Sequence, residues 1–314
     1  MNKSIILFGV GYWGKNHLRE LNNHENVSLF VVDPLIHSHQ DIINKYQNVN
    51  FFTSADEIFS KNHKIDGAVI ATPPSTHFEI AKKCLENNLH VLVEKPMVET
   101  SDELEILNTL AGKNRVLMSG HTYLFNPAVQ VIKNIVDSGE IGEIMFIHSQ
   151  RLNFGIVREN TDVFMSLAPH DISLVQYFMN DEKYLDMKSR KYNYTFSPND
   201  DFSSTGLYYN NNSYAQIDVS WYYPEKVRKL KIIGSKKAII FDDVDKKITM
   251  YDISIDSNYD HNNNGEANIE FDKNISPLKN ELNQFLSYFD NPSLCITDYS
   301  HTKNVIKVLE EYYR

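Results

Sequence analysis

The sequence predicts an α/β chain: a doubly wound parallel sheet in its N-terminal part, then a half built on a large, mostly antiparallel sheet. Three observations lead there. A glycine-rich stretch, "ILFGVGYWGKNHLRE" (6–20), stands between an apolar run and a helical pattern. Over the first 120 residues short apolar runs alternate with helical patterns, the signature of parallel strands joined by crossover helices. After Ile144 the pattern turns β-rich, with runs such as "SYAQIDVSWYY" and "KVRKLKIIGS" separated by turn signals.

The first strand, Ile5–Gly9, feeds Gly9, Gly11 and Gly14, spaced G-x-G-x-x-G, and the stretch leads into a segment in which Trp13, Leu18 and Leu21 recur at helical spacing. Strand, glycines, helix is the order a dinucleotide-binding fingerprint needs. The first glycine permits the turn, the second lets backbone approach a pyrophosphate, and the third lets helix and strand pack closely. The helix N-terminus then offers free N–H groups to the phosphates. The second strand, Leu29–Asp33, ends in Asp33, 19 residues after Gly14. A carboxylate there binds the ribose 2′-OH of NAD and repels a 2′-phosphate. The plainer alternative is an aspartate opening a turn before Pro34. The expected cofactor is NAD(H) in preference to NADP(H).

Further strands are expected at Gly67–Ala71, Val91–Glu94 and Val116–Gly120. Ser75 or Thr76 is placed to cap a helix whose apolar face is Phe78, Ile80, Ala81, Cys84 and Leu85. Another helix runs from Asn126 to Asp137, opened by Pro127. In the second half a hairpin is expected at "YYNNNSYA" and a helix near Ala168–Met179. The Asn-rich stretch 256–268 reads as a loop, and the chain ends in helices Pro277–Phe289 and Tyr299–Tyr312. The domain boundaries expected are 1–122 for cofactor binding and 123–314 for substrate binding and oligomer contacts.

A chain of 314 residues suits two domains better than one core. Its 42% apolar and 23% charged content is that of a soluble globular protein. A net charge of -10 argues against nucleic acid or an anionic membrane as partner. Two cysteines, Cys84 and Cys295, make no disulfide framework and show no metal-site spacing, so no metal is expected. The apolar start is too short for a signal peptide, and no apolar run reaches the length of about 18 residues that a membrane span needs. A reduced, soluble, cytoplasmic protein is the expectation.

Ligands of a doubly wound sheet bind beyond the carboxyl ends of its strands. Three peptides fall there: "ATPPSTH" (71–77), "VEKPM" (93–97) and "SGHTYLFNP" (119–127). Thr72, Pro73, His77, Glu94, Lys95 and His121 are therefore expected around the cofactor, with Tyr12 and Trp13 of the glycine loop. Core or helix-cap roles for the two histidines stay open. Lys95 precedes Pro96 at a strand end, where partial desolvation and a positively charged nicotinamide both lower a lysine's pKa. That suits it to proton relay or to holding a hydroxyl oxygen, against the alternative of a surface lysine in a turn. Arg151, Asn153 and Arg158, in "SQRLNFGIVREN", are candidates to line a substrate pocket, since arginine grips diphosphate and carboxylate bidentately. Ordinary solvated strand charge is the alternative.

Taken in order, "GVGYWGKNHLRE", "ATPPSTH", "VEKPM", "GHTYLFNPAV", "SGEIGEI" and "LAPHDIS" resemble the Gfo/Idh/MocA oxidoreductases, the family of glucose–fructose oxidoreductase, inositol dehydrogenases and sugar-nucleotide dehydrogenases. The resemblance covers nearly the whole chain, with 256–268 outside it. It implies an N-terminal Rossmann domain with tightly held NAD(H) or NADP(H), and a C-terminal α+β domain whose open sheet makes homodimer or homotetramer contacts. It implies sugar, cyclitol or sugar-nucleotide substrates. By position, Lys95 becomes the family's E-K-P lysine, and His170 the histidine that takes a hydroxyl proton as hydride leaves the same carbon. The residues alone favour a plainer reading, in which His170 simply sits in the first turn of a helix. Tyr123 and Ser166 complete the expected substrate contacts. Many relatives carry an aspartate at the position of Ser166, which has no charge. The function expected is hydride transfer between nicotinamide and a hydroxyl or keto carbon of a sugar or sugar nucleotide. Two alternatives stay open: an NAD-dependent glycosidase working by transient oxidation and elimination, and an NAD-binding protein with impaired catalysis.

Overall fold

The computed structural model describes residues 2–60, 63–256 and 258–314. The chain runs β1 (Lys3–Phe8), α1 (Gly14–Asn22), β2 (Val27–Val32), α2 (Gln40–Lys45), β3 (Asn50–Phe52), α3 (Asp56–Phe59), β4 (Gly67–Ile70), α4 (His77–Glu86), β5 (His90–Glu94), α5 (Ser101–Ala111) and β6 (Leu117–Gly120). After α6 (Pro127–Asp137) come β7 (Ile144–Phe154), α7 (Val163–Phe178), β8 (Asp186–Tyr192), β9 (Phe202–Tyr208), β10 (Tyr214–Ser220), β11 (Tyr222–Gly234), β12 (Ala238–Asp242), β13 (Lys247–Ile255) and β14 (His261–Ile269). The helices α8 (Pro277–Ser287) and α9 (Tyr299–Tyr312) end it.

Two compact units result, 1–122 with 278–306, and 123–277 with 307–314. The stretch 278–306, grouped by sequence with the second domain, thus returns to the first. The reason is packing: Phe289 stacks on His90 with ring centroids 4.0 Å apart, and the Ser119 N–H donates to the Thr297 carbonyl at 3.0 Å.

The first unit holds a six-stranded sheet in the order β3-β2-β1-β4-β5-β6, every pair parallel. Ile5, Ile6, Leu7, Val69, Leu92 and Val93 are fully buried, as expected of parallel strands covered on both faces, which read as continuous apolar runs. The order reverses between β1 and β4, the switch point where such sheets bind ligands. β3 and α5 are additions to the sequence reading. β3 is three residues long with an exposed asparagine, too short for periodicity to show. Thr100 and Glu103 form a capping box at the start of α5. Thr76 makes no side-chain cap on α4; its hydroxyl donates instead to the Pro73 carbonyl at 2.7 Å and can accept from the Thr72 hydroxyl, 2.8 Å away.

The second unit holds an eight-stranded sheet, β14-β13-β12-β11-β7-β10-β9-β8, antiparallel except between β7 and β10. Helix α7 packs on β7, β9 and β10. The stretch 256–268, read as a loop, is instead largely an edge hairpin: β14 pairs with β13 from Ile248↔Ile269 to Ile255↔His261, while Ser257 lies outside the described residues. An edge strand with little of either face buried needs no apolar alternation, which is why composition concealed it.

Helix α7 also begins earlier than the sequence suggests. The Asp162 carboxylate accepts the Met165 N–H at 2.8 Å as its cap, and Pro169 sits inside the helix. Proline within a helix costs a hydrogen bond, so it reads as a start when it is not one. His170 consequently stands eight residues beyond the cap, deep in the helix, with Ser166 one turn before it.

Candidate functional site

In the first unit the glycine loop leaves β1 at the switch point. Gly9 has φ +87°, which glycine adopts at no steric cost, and a side chain there would meet the Ala71 carbonyl oxygen at 2.9 Å. A Cβ on Gly14 would lie 2.1 Å from the Gly9 carbonyl oxygen, so helix and loop touch through that glycine. At Gly11 a Cβ would meet nothing within 4 Å: the cradle is open where a diphosphate approaches. Asp33 closes the loop from the end of β2. One carboxylate oxygen accepts the Val10 N–H at 2.9 Å and the other the Leu35 N–H at 2.8 Å. Closed at Gly9 and Gly14, open at Gly11 and bounded by a fixed carboxylate, the loop fits a dinucleotide. Tyr12 and Trp13 are exposed beside it.

Lys95 follows β5, and its neighbours are unusually polar for a protein interior. The Glu94 carboxylate faces inward, 2.8 Å from His17 Nε2, while its other oxygen accepts the Lys95 N–H at 3.2 Å. His77 is buried with its ring nitrogens 2.9 Å from the Thr72 carbonyl and 2.8 Å from that of Pro96. Its ring thus ties the loops after β4 and β5 together, the structural role that the sequence left open. His121 is buried too. Burial, then the charges of His301 and Lys95, hold its pKa well below the ordinary imidazole value, so it stays neutral.

A group the sequence did not single out completes this cluster. Glu281, on α8, is fully buried and accepts the Thr122 hydroxyl at 3.0 Å. Burial, and then the charge of Glu94, push its pKa well above the carboxylate range. A lone glutamate within a helical stretch gives no signal in sequence; only the fold brings it to Glu94.

In the second unit His170 is half-buried, with its ring centroid 5.0 Å from that of Tyr123. Tyr123 also lies 4.3 Å from the Arg151 guanidinium. Arg151, a candidate pocket residue in the sequence, is not the solvated strand charge of the alternative reading. It is buried, its Nε donating to Asp171 at 2.7 Å and a terminal nitrogen to the other carboxylate oxygen at 3.4 Å. Although burial works against its charge, Asp171 holds the guanidinium pKa above its ordinary value. Asn153 is half-buried near the end of β7, and Arg158 is exposed in the loop beyond it, where the Asn199 amide donates to the Arg158 and Glu159 carbonyls.

Two sequence profiles cover most of the chain: "Oxidoreductase family, NAD-binding Rossmann fold" matches residues 3–121, and "GFO/IDH/MocA C-terminal domain" matches 129–240. The chain belongs to the Gfo/Idh/MocA oxidoreductase family. Among similar proteins, 2,7-anhydro-N-acetylneuraminate hydratase of Escherichia coli K12 is 27% identical over 184 residues, 55% of this chain and 48% of that protein. Inositol 2-dehydrogenase of Salmonella typhimurium is 25% identical over 184 residues, 56% of this chain and 54% of the other. The chain thus spans about half the length of the curated relatives it matches. The solved structure of UDP-N-acetylglucosamine 3-dehydrogenase GnnA from Acidithiobacillus ferrooxidans superposes with a TM-score of 0.85 at 20% identity, covering 99% of this chain and 96% of that one. At that identity the likeness is one of fold.

The glycine loop and Asp33 lie within the part matched as an NAD-binding Rossmann fold, and His170 within the part matched as the C-terminal domain. No helix among the described residues is long and apolar enough to cross a membrane.

Proposed function

We propose that this Gfo/Idh/MocA protein is an NAD(H)-dependent dehydrogenase that transfers hydride between nicotinamide and a hydroxyl or keto carbon of a sugar or sugar nucleotide. The observation that carries the reading is Lys95 at the end of β5, in the same sheet whose β1 and β2 ends supply the glycine cradle and Asp33. Bound NAD⁺ supplies the hydride acceptor. The glycine loop holds the diphosphate, Asp33 accepts from the ribose hydroxyls, and Lys95 holds the substrate oxygen and stabilises its developing charge. In the second unit His170 takes the hydroxyl proton as the carbon is oxidised, and returns it in reduction. Ser166, one turn before it, offers a hydrogen bond without charge. Asn153 and Arg158 are assigned to the distal part of the substrate, where Arg158 suits a diphosphate. The protein is proposed to work as a homodimer or homotetramer.

The substrate class is supported by an inositol dehydrogenase among the relatives and a UDP-N-acetylglucosamine dehydrogenase among the folds. The hydratase relative favours a second reading, transformation of a sugar without net change of NAD redox state. Kinetics of Lys95→Ala and His170→Asn on one turned-over substrate test the assignment. Each is expected to lower kcat by about 100-fold or more, the ordinary worth of a positioned proton transfer, with NADH binding by fluorescence little changed. Full activity in either variant contradicts the role given to that residue.

A further inference from the structure

The second unit buries two opposite charges that the proposed reaction does not use. Arg151 is 6% exposed and Asp171 is 1% exposed. Asp171 takes Arg151 Nε at 2.7 Å on one carboxylate oxygen, and on the other the Ser149 hydroxyl at 2.6 Å and a guanidinium nitrogen at 3.4 Å. Such a pair is a weak source of stability, because desolvation offsets most of its attraction and an apolar pair packs as well. What it supplies is a flat cation in one fixed orientation. The free face of that cation lies 4.3 Å from the Tyr123 ring centre, and Tyr123 in turn lies 5.0 Å from the ring of His170. Asp171 is also the chain neighbour of His170 on α7.

We propose that Arg151 and Asp171 form a charge-neutral positioning pair that holds Tyr123 against the His170 ring while presenting no net charge to it. The inference rests on His170 being the base. A lone arginine against Tyr123 would discourage protonation of the ring behind it, and a lone aspartate beside His170 in the chain would favour it; together the two effects offset.

Among the described residues, several charged groups on the elements around α7 are engaged with one another or with other partners. On β7 and β10, His148 and Asp218 pair with each other at 2.7 Å. Strands alternate, so with Ser149 and Arg151 turned toward α7, His148 faces the opposite side of the sheet. β9 carries no charged side chain. Asp162 is engaged as the cap of α7 and by the Tyr313 hydroxyl. Asp243 lies behind Tyr123, 3.4 Å from its hydroxyl and 3.8 Å from Arg228.

Histidine ring resonances of the isotope-labelled full-length protein provide the test, with the His170 signal identified by its loss in His170→Asn. The proposal predicts that Arg151→Met raises the titration midpoint of His170 by about half a pH unit or more, and that Asp171→Asn lowers it by a similar amount. The double variant Arg151→Met/Asp171→Asn should return near the wild-type midpoint. Shifts in one common direction, or none, overturn it. Should a single variant fail to fold, Arg151→Lys decides: it keeps the charge and loses the flat grip on Tyr123. The expected result is an unmoved midpoint with weakened Tyr123–His170 ring contacts, whereas unchanged contacts overturn the positioning role. Turnover by His170→Asn tests the base itself, so the two failures are distinguishable.

Discussion

At Asp33 each carboxylate oxygen already accepts one backbone N–H, from Val10 and Leu35, which fixes the group but leaves lone pairs for further donors. A ribose 2′-OH can donate to it; a 2′-phosphate cannot, and meets a like charge that the backbone holds in place. We expect NADH to bind about tenfold or more tightly than NADPH, a difference of about 1.4 kcal/mol, and Asp33→Ser to narrow the gap. Fluorescence titration of both cofactors measures it, and equal affinities in the wild type contradict it. This residue was legible in sequence because its spacing from the glycines is a motif. Glu281 was not, because its significance lies in being brought to Glu94. Its raised pKa fixes the sign of a pH effect. Below the ordinary value of 4.5 both folded and unfolded chains keep the proton. As pH rises past that value the unfolded chain releases it while the folded chain retains it, so stability declines with pH. Glu281→Gln is neutral in both states and still accepts from Thr122. Its denaturant-unfolding free energy should match wild type near pH 4.5 and exceed it increasingly through neutral pH. Parallel profiles contradict a protonated Glu281.

Among the elements, the link between β4, β5 and the segment after α8 is held by aromatic packing at close range. A Cβ on Gly67 would lie 2.6 Å from Phe289 Cζ, and Phe289 is in turn stacked on His90. Gly67→Ala must displace that ring, and overpacking of this kind costs about 1–3 kcal/mol. Denaturant unfolding reads the loss, and an unchanged stability means that Phe289 swings away freely. The same elements show what sequence can and cannot disclose. The buried strands β1, β2, β4, β5 and β6 are continuous apolar runs and are readable. β8 escaped because its burial alternates only weakly and most of its residues are exposed. Helix α7 was placed five residues late because Pro169 is a helix breaker in any local reading, and only the Asp162 cap reveals the true start.

For the whole molecule, the motifs that mark the cofactor cradle are local and were read directly, whereas the chain's return to its first unit over 278–306 depends on side chains far apart in sequence. The candidate substrate residues were read more through resemblance than through chemistry, and the geometry adds what sequence could not: Arg151 is paired with Asp171. The proposed activity is net hydride transfer, and one measurement reaches it directly. Purified protein is mixed with NAD⁺ and, in turn, with cyclitols, free sugars and nucleoside-diphosphate sugars, while the reduced-nicotinamide absorbance band is followed. The prediction is net formation of NADH with at least one of them, lowered by about 100-fold or more in both Lys95→Ala and His170→Asn. Conversion of a sugar with no net NADH, or NADH formation undiminished in both variants, contradicts the account.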